Sequence, residues 1–143
     1  MIFRQLSDMV NMGLVILDEE LKVRFWNRWM AMHSGIDSEK ITGQALFEFF
    51  PELDNPTFLR NFRTVFAFGN FAFFSQKLHR YLFPFRSPFS TQSQFDYMQQ
   101  SCTMGPIRDD DGNVQKIFLS VSDVTEVVGY EQQLIEMNRK DAL

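Results

Sequence analysis

Several features that often reveal a function are scarce in this chain. It has one cysteine, Cys102, so an internal disulfide is excluded and a reducing compartment is favoured. The N-terminal segment contains no apolar run long enough to span a bilayer or to act as a signal peptide. The formal net charge is -4 and lysine and arginine do not cluster, which argues against a nucleic-acid surface. The sequence therefore predicts a cytoplasmic protein with no membrane and no nucleic-acid partner.

Residues that would build a catalytic or metal centre are equally sparse. The two histidines and the distant cysteine do not have the spacing of metal ligands. The sequence contains no glycine-rich phosphate loop, nucleophile elbow or pair of carboxylates arranged for acid–base chemistry. We therefore expect neither a metal site nor enzymatic activity in this chain. A more remote alternative is a small enzyme in which His79 or Asp96 acts as a base.

Phenylalanine, in contrast, is abundant. The chain has 17 Phe among 143 residues, and most of them lie between Phe47 and Phe95. Hydrophobic residues make up 45% and charged residues 22%, which is ordinary for a soluble globular domain. This length is sufficient for one hydrophobic core. The middle of the chain is therefore predicted to contribute an aromatic-lined interior.

The hydrophobic pattern predicts an α+β domain. The predicted strands are Gly13–Asp18, Lys22–Trp26, Phe71–Phe83, Phe95–Arg108 and Val114–Val124. The predicted helical segments are Met1–Val10, a helix capped by Asn27 and ended by Gly35, short turns within Ser38–Phe50, and a longer helix over Thr57–Phe68. A tight turn is expected at 109–113 and a long loop at 84–94.

The last quarter of the chain joins a strand to an amphipathic helix. Asp123 can cap the first helical turn, and Glu126 can reach back to it. Beyond this junction, apolar residues recur at spacings of three, four and three, which is typical of a two-helix seam. The residues of this stripe are Val127, Tyr130, Leu134 and Met137. The pattern predicts a homodimer in which these helices pack in parallel.

The order of elements resembles that of a PAS domain. The resemblance covers about Met1 to Glu126, and its motifs are FWNRW at 25–29, ITGQ at 41–44, FFPEL at 49–53 and DVT at 123–125. It implies a five-stranded antiparallel sheet with helices packed on one face, in a sensor module that is usually dimeric and is not itself an enzyme. Residues 1–126 would then form the sensor domain and 127–143 a coiled-coil-like linker helix. Asp123 and Thr125 would fasten this C-terminal signalling helix to the sheet and relay the signal.

The resemblance also implies a ligand pocket between the sheet and the helices from Trp29 to Phe68. Three aromatic residues are expected to form its apolar wall: Phe58, Phe62 and Phe66. Its polar candidates are His79, Tyr81 and Tyr97. On the predicted strand over 71–83, residues two apart point the same way, so His79 and Tyr81 would share a face. The alternative is a fully packed Phe core in a ligand-free structural dimerisation module.

Two cofactors of PAS domains are not expected here. Flavin-binding members resemble one another through an Asn-Cys-Arg-Phe-Leu segment, which this sequence lacks. Haem-binding members commonly use an axial histidine on the longer helix, and the segment Thr57–Phe68 contains none. The identity of any ligand stays open, because aromatic side chains suit many apolar or planar molecules.

Residues 138–143, with the sequence NRKDAL, resemble the linker that opens a GGDEF (diguanylate cyclase) domain. This second resemblance implies the sensory part of a longer signalling protein whose attached output domain is a diguanylate cyclase. A histidine kinase is the alternative output.

Overall fold

The structure, a computed structural model, describes residues 2–86 and 95–141. Its strands are β1 (Gly13–Leu17), β2 (Val23–Trp26), β3 (Ala72–Phe74), β4 (Gln100–Arg108) and β5 (Val114–Asp123). Its helices are α1 (Ile2–Met9), α2 (Arg28–Ser34), α3 (Ser38–Ile41), α4 (Leu46–Phe49), α5 (Pro56–Phe68), α6 (Gln76–His79) and α7 (Thr125–Asp141), and a 3₁₀ turn spans Pro51–Leu53.

The five strands form one antiparallel sheet in the order β2-β1-β5-β4-β3. The last strand of the chain, β5, lies in the centre and pairs with both β1 and β4. The predicted α+β class, the five antiparallel strands and the C-terminal helix are therefore confirmed. The tight turn at 109–113 is also present, since Asp109 and Asn113 are joined by a main-chain hydrogen bond of 2.9 Å.

The core lies between one face of the sheet and helices α2–α5. Alternate residues of the strands point to this face, as the pleat requires. The buried strand residues include Val15, Leu17, Cys102, Met104, Ile117, Leu119 and Val121. The buried helical residues of the same cluster include Trp29, Met30, Ile41, Leu46, Phe58, Phe62 and Val65. Residues 117–121 thus alternate between the buried face of β5 and its opposite face.

Asn27 is a buried cap with more partners than its sequence position indicates. Its Oδ1 accepts hydrogen bonds from the main-chain N–H of Met30 (3.2 Å) and of Leu14 (3.1 Å). Its Nδ2 donates to the carbonyl oxygens of Ser7 (2.8 Å) and Met12 (3.0 Å). The same amide therefore begins α2 and fastens the end of α1 to β1, which is a structural role.

Residues close in sequence define both ends of α5. Asn55 Oδ1 accepts from the main-chain N–H of Phe58 at 2.9 Å, and Pro56 occupies the first turn. Gly69 closes the helix with φ 70°, a left-handed conformation that favours glycine.

The prediction of one strand over 71–83 is wrong. Only Ala72–Phe74 pairs with β4, at the edge of the sheet. Ser75 then caps α6, its Oγ accepting from the main-chain N–H of Leu78 at 3.4 Å. The chain turns back at Arg80, so the argument from strand parity for His79 and Tyr81 is also wrong. A short polar cap at Ser75 ends the strand early, because the three paired residues of β3 supply few ladder hydrogen bonds to hold the extended form.

Two smaller differences concern the neighbouring segments. Residues 95–99, expected in a strand, precede β4, which begins at Gln100. The predicted loop 84–94 has no regular structure over 84–86, and its remaining residues, 87–94, lie outside the described residues. Within the part of the chain that the structure describes, none of the helices has the length and apolar character needed to cross a bilayer.

Candidate functional site

A cleft of about 480 Å³ opens between the N-terminal end of α5, the end of β3 and the segment that follows α6. Its buried lining residues are Leu53, Phe58 and Phe74, all aliphatic or aromatic. Its polar lining residues are Glu52, Asn55, Thr57, His79, Arg80, Tyr81 and Tyr97. The lining thus combines a small apolar floor with a larger number of polar side chains, and the volume lies within the range of small-molecule sites.

Four of the six residues predicted to form the pocket line this cleft. They are Phe58, His79, Tyr81 and Tyr97. The rings of Tyr81 and Tyr97 lie 5.2 Å apart, and the His79 ring meets Phe74 edge-on at 5.3 Å. These side chains thus come together, although His79 lies in α6 and Tyr81 follows the turn at Arg80, instead of both lying on a strand. Their role as ligand contacts stays a prediction.

The other two predicted wall residues, Phe62 and Phe66, do not line the cleft. They lie farther along α5, with ring centroids 5.7 Å apart, and Phe62 is 4% exposed. At 1.5 Å of rise per residue, they lie about 6 and 12 Å along α5 from Phe58, which does line the cleft. Phe62 belongs to the packed core.

Arg80 holds the polar edge of the cleft in a strained conformation. Its φ is 64° and its ψ is −53°, and the main-chain N–H of Tyr81 donates to the carbonyl of His79 at 2.7 Å. These values describe a γ-turn of the rare kind, which costs on the order of 1–3 kcal/mol for a residue with a Cβ. Such strain persists only where surrounding contacts fix the chain, and it is concentrated at binding and switch sites.

Gln100 supplies the contacts that fix this segment, and sequence reasoning missed it. The residue is 1% exposed, and its main-chain N–H donates to the carbonyl of Arg80 at 2.8 Å. Its Oε1 accepts from the main-chain N–H of Leu82 and of Phe83, both at 3.0 Å, and its Nε2 donates to the carbonyl of Phe83 at 2.8 Å. A buried amide with its partners satisfied fixes both chains that it joins.

Gln99 makes the corresponding connection to α7 and was also missed. Its main-chain N–H donates to Oγ1 of Thr125 at 2.8 Å, and its carbonyl accepts from the main-chain N–H of Val124 at 2.8 Å. Its side-chain Oε1 accepts from Nε2 of Gln76 at 2.8 Å, and its Nε2 donates to the carbonyl of Tyr97 at 3.1 Å. Gln76 lies 23 residues and Thr125 lies 26 residues from Gln99 along the chain, so no local sequence pattern could have indicated these contacts.

The residues predicted to relay the signal, Asp123 and Thr125, lie at the junction of β5 and α7. Asp123 Oδ1 accepts from the main-chain N–H of Thr125 at 3.0 Å, and Thr125 is fully buried. Asp123 therefore contacts the first residue of α7, two positions farther along the chain. The carboxylate of Glu126, predicted to reach back to Asp123, accepts from the hydroxyl of Tyr130 at 3.2 Å. Whether the junction carries a signal stays a prediction.

His33 lies in the last turn of α2, near this junction, and is half-buried. Its ring is 4.1 Å from that of Trp29. Burial lowers the pKa of His33 below its ordinary value of 6.5, and the carboxylate of Asp123 and a hydrogen bond with the main chain of Arg86 partly oppose that shift.

The predicted dimer stripe on α7 is exposed within the single chain. Val127, Tyr130, Leu134 and Met137 are each 57–60% exposed. α1 presents further apolar side chains in the same state, and these include Leu6 (58%) and Met9 (80%). Both helices therefore carry apolar surface that no part of the described chain covers.

The described residues give little support for metal binding or for a reactive cysteine. No group of three or more His, Cys, Asp or Glu residues within them is placed to hold a metal ion. Cys102 is buried, and burial raises the pKa of its thiol to about 12, so it lacks the thiolate that reactive cysteines need.

Comparison with known proteins identifies the family to which the chain belongs. A family model described as the PAS fold matches residues 7–129, so the chain belongs to the PAS fold family. No curated protein is similar enough in sequence to count as a relative.

Solved structures of sensor proteins share the fold. A sensory box sensor histidine kinase from Vibrio cholerae is 24% identical, with a TM-score of 0.64 over 87% of this chain and 90% of that chain. The PAS domain of BvgS from Bordetella pertussis is 16% identical, with a TM-score of 0.61 over 99% and 96%. The histidine kinase ThkA in complex with the response regulator TrrA is 18% identical, with a TM-score of 0.66 over 96% of this chain and 35% of the kinase chain. These three structures share the fold of this chain, which is that of a PAS domain.

Proposed function

We propose that this chain is the ligand-sensing part of a larger cytoplasmic signalling protein. It binds a small molecule in the cleft beside α6 and passes the bound state through α7 to an attached output domain. The observation that carries this proposal is the convergence of Phe58, His79, Tyr81 and Tyr97 on one cleft, next to a strained turn. Aromatic rings provide apolar contact area, while the hydroxyl, imidazole and guanidinium groups provide a few orienting hydrogen bonds.

A structural neighbour supports a small-molecule role for this fold. VqmA, in its structure bound to DPO, is 16% identical and has a TM-score of 0.63 over 85% of this chain and 57% of that chain. At this identity the likeness concerns the fold alone. The ligand proposed here is therefore defined by its cleft, as a planar or apolar molecule with one or two polar groups.

The test first detects a bound ligand and then changes a residue that lines the cleft. Native mass spectrometry of the purified protein would reveal a retained molecule, and a thermal-shift screen of metabolites would reveal one that binds. The expected shift should disappear in Tyr97→Ala, in the cleft, and persist in Phe73→Ala, a matched aromatic truncation at the exposed sheet edge. If no molecule is retained and no metabolite raises the melting temperature, the chain does not act as a ligand sensor under the conditions screened.

The second candidate, a ligand-free dimerisation module, is favoured by a different observation. The part of the predicted wall around Phe62 is packed against Phe66 and belongs to the core. A packed interior needs no ligand, since protein cores reach crystal-like density by themselves. In that case the exposed stripe on α7 and the apolar side of α1 would hold two output domains together, whatever the cleft contains.

We further propose that the output is enzymatic and lies beyond α7. The resemblance of residues 138–143 to a GGDEF linker supports a diguanylate cyclase. The kinases among the structural neighbours support a histidine kinase as the alternative. Assays of the full-length protein separate the two, because a cyclase consumes GTP and forms a cyclic dinucleotide, whereas a histidine kinase transfers phosphate from ATP to its own histidine.

A further inference from the structure

Two consecutive glutamines, Gln99 and Gln100, are hydrogen-bonded both to the cleft and to the start of α7. Both side chains are buried, at 3% and 1% exposure. We propose that this glutamine pair transmits changes at the cleft to α7. The inference rests on the proposed sensory function, and it identifies the residues through which the site would be regulated.

Gln100 ties the pair to the cleft. Its main chain and its side-chain amide together hold the carbonyl of Arg80, the N–H of Leu82, and both the N–H and the carbonyl of Phe83. The segment from α6 to Phe83 carries the cleft residues His79, Arg80 and Tyr81. A ligand that moves this segment must therefore move Gln100 or break several buried hydrogen bonds.

Gln99 is hydrogen-bonded both to residues beside the cleft and to the start of α7. Its side chain bonds to Gln76, the first residue of α6, and to the carbonyl of Tyr97, whose ring lies against Tyr81. Its main chain bonds to Val124 and to Oγ1 of Thr125, where α7 begins. One residue thus contacts the cleft through its side chain and the exit helix through its backbone.

The chemistry of a buried amide makes this link stiff. Breaking one of these buried hydrogen bonds costs free energy, because the oxygen or N–H is left without a partner away from water. The hydrogen-bonded residues are therefore expected to move together. The link also continues into the helix. The carbonyl of Val124, whose N–H is bonded to Gln99, accepts the N–H of Val128 at 2.9 Å. By linkage, a change at α7 must alter ligand affinity by the same factor by which the ligand alters α7.

The test follows amide hydrogen exchange by NMR in the ligand-free chain, with the N–H groups of Val124 and Val128 as reporters. The substitution is Gln76→Ala. It removes the half-buried side chain that donates to Gln99 from the start of α6, and this side chain is not a hydrogen-bond partner of either reporter N–H. Gln115→Ala, an exposed glutamine on β5, is the matched control. We expect Gln76→Ala to speed exchange at both reporters by about fivefold, the change that loss of one hydrogen bond makes in an opening equilibrium. The control should leave both rates unchanged.

A second variant is needed because Gln76→Ala could also destabilise α6 itself. Thr125→Val removes the hydroxyl that holds Gln99, and its effect on Val128 exchange should combine non-additively with that of Gln76→Ala, because both act through Gln99. Faster exchange confined to α6, or strictly additive effects, would overturn the proposal. No ligand is used, so a failed metabolite screen and a failed relay give different results: the first removes the sensor function and the second removes only the glutamine link.

Discussion

The main-chain N–H of Thr125 donates a 3.0 Å hydrogen bond to Oδ1 of Asp123, so a carboxylate at the end of β5 holds the first residue of α7. The acceptor satisfies one of the N–H groups that a helix leaves free at its start. The negative charge also lies at the positive end of the helix dipole. The junction between sheet and exit helix is therefore fixed by side-chain chemistry as well as by chain continuity.

Asp123→Ala should lower the free energy of unfolding by about 1 kcal/mol, the usual cost of losing such a cap. Asp123→Asn keeps an oxygen acceptor and should cost less. Urea denaturation followed by circular dichroism measures both. In the full-length protein, Asp123→Ala should also uncouple the output from its input. Wild-type stability together with wild-type regulation would make the contact incidental.

Leu134→Glu should convert the proposed homodimer to a monomer in sedimentation velocity. The side chain lies in the exposed stripe of α7, and a charge there would be buried without a partner in a two-helix seam. Gln133→Glu adds the same charge to the neighbouring exposed position off the stripe and should leave the dimer intact. If Leu134→Glu remains dimeric, the two chains meet elsewhere, with the apolar side of α1 as the first place to look.

Phe62→Ala should lower the free energy of unfolding by about 3–5 kcal/mol, because it removes a ring from a packed core. Phe68→Ala on the same helix is the control, and it should cost little because this ring is 78% exposed. Chemical denaturation gives both values. A loss for Phe62→Ala well below this range would reveal a void beside the ring and would restore the larger pocket expected from the sequence.

Arg80→Gly should raise the melting temperature, since glycine adopts φ 64° without the steric cost of a Cβ. The gain should be on the order of 1 kcal/mol, partly offset by the greater freedom of glycine in the unfolded chain. Arg80→Ala removes the same charged side chain but keeps the Cβ, so it should give no such gain. Equal melting temperatures for the two variants would show that backbone strain at this turn is negligible.

His33 should make the protein less stable as the pH falls. Because burial lowers its pKa in the folded state, the unfolded chain binds more protons between the folded value and the ordinary value of 6.5. Its stabilising contribution is therefore complete above that ordinary value and is lost as the pH falls toward the folded value. The difference in unfolding free energy between wild type and His33→Gln should shrink from pH 7.5 to pH 5.5. A constant difference would contradict the lowered pKa.

Local signals in the sequence were sufficient for much of the fold. Asn27 and Asn55 cap helices because their short side chains reach the free N–H groups of the first turn, and Gly69 ends a helix because it accepts positive φ. The alternation over residues 117–121 indicates a strand with one apolar face, and in β5 that face is buried. Each of these signals acts over a few residues, which is the range that a pattern in one sequence can report.

The candidate site was harder to predict because its geometry depends on distant partners. The residues after Phe74 were predicted to continue the strand, yet Ser75 begins a helix and Arg80, held by Gln100, reverses the chain. Two glutamines within the predicted strand Phe95–Arg108 give no indication of burial, since glutamine is usually exposed. Their partners, including Gln76 and Thr125, become neighbours only after the sheet has formed.

The position of β5 in the middle of the sheet also determines how the domain responds to mechanical load. α7 continues from β5, and that strand is bonded along both edges, to β1 and to β4. A pull or a twist on α7 therefore acts in shear on two ladders at once, instead of peeling one edge strand away. At 1.5 Å of rise per residue, the helix is a lever of about 25 Å. The two ladders act as its clamp, so a small tilt at the clamped end becomes a displacement of several ångströms at the free end.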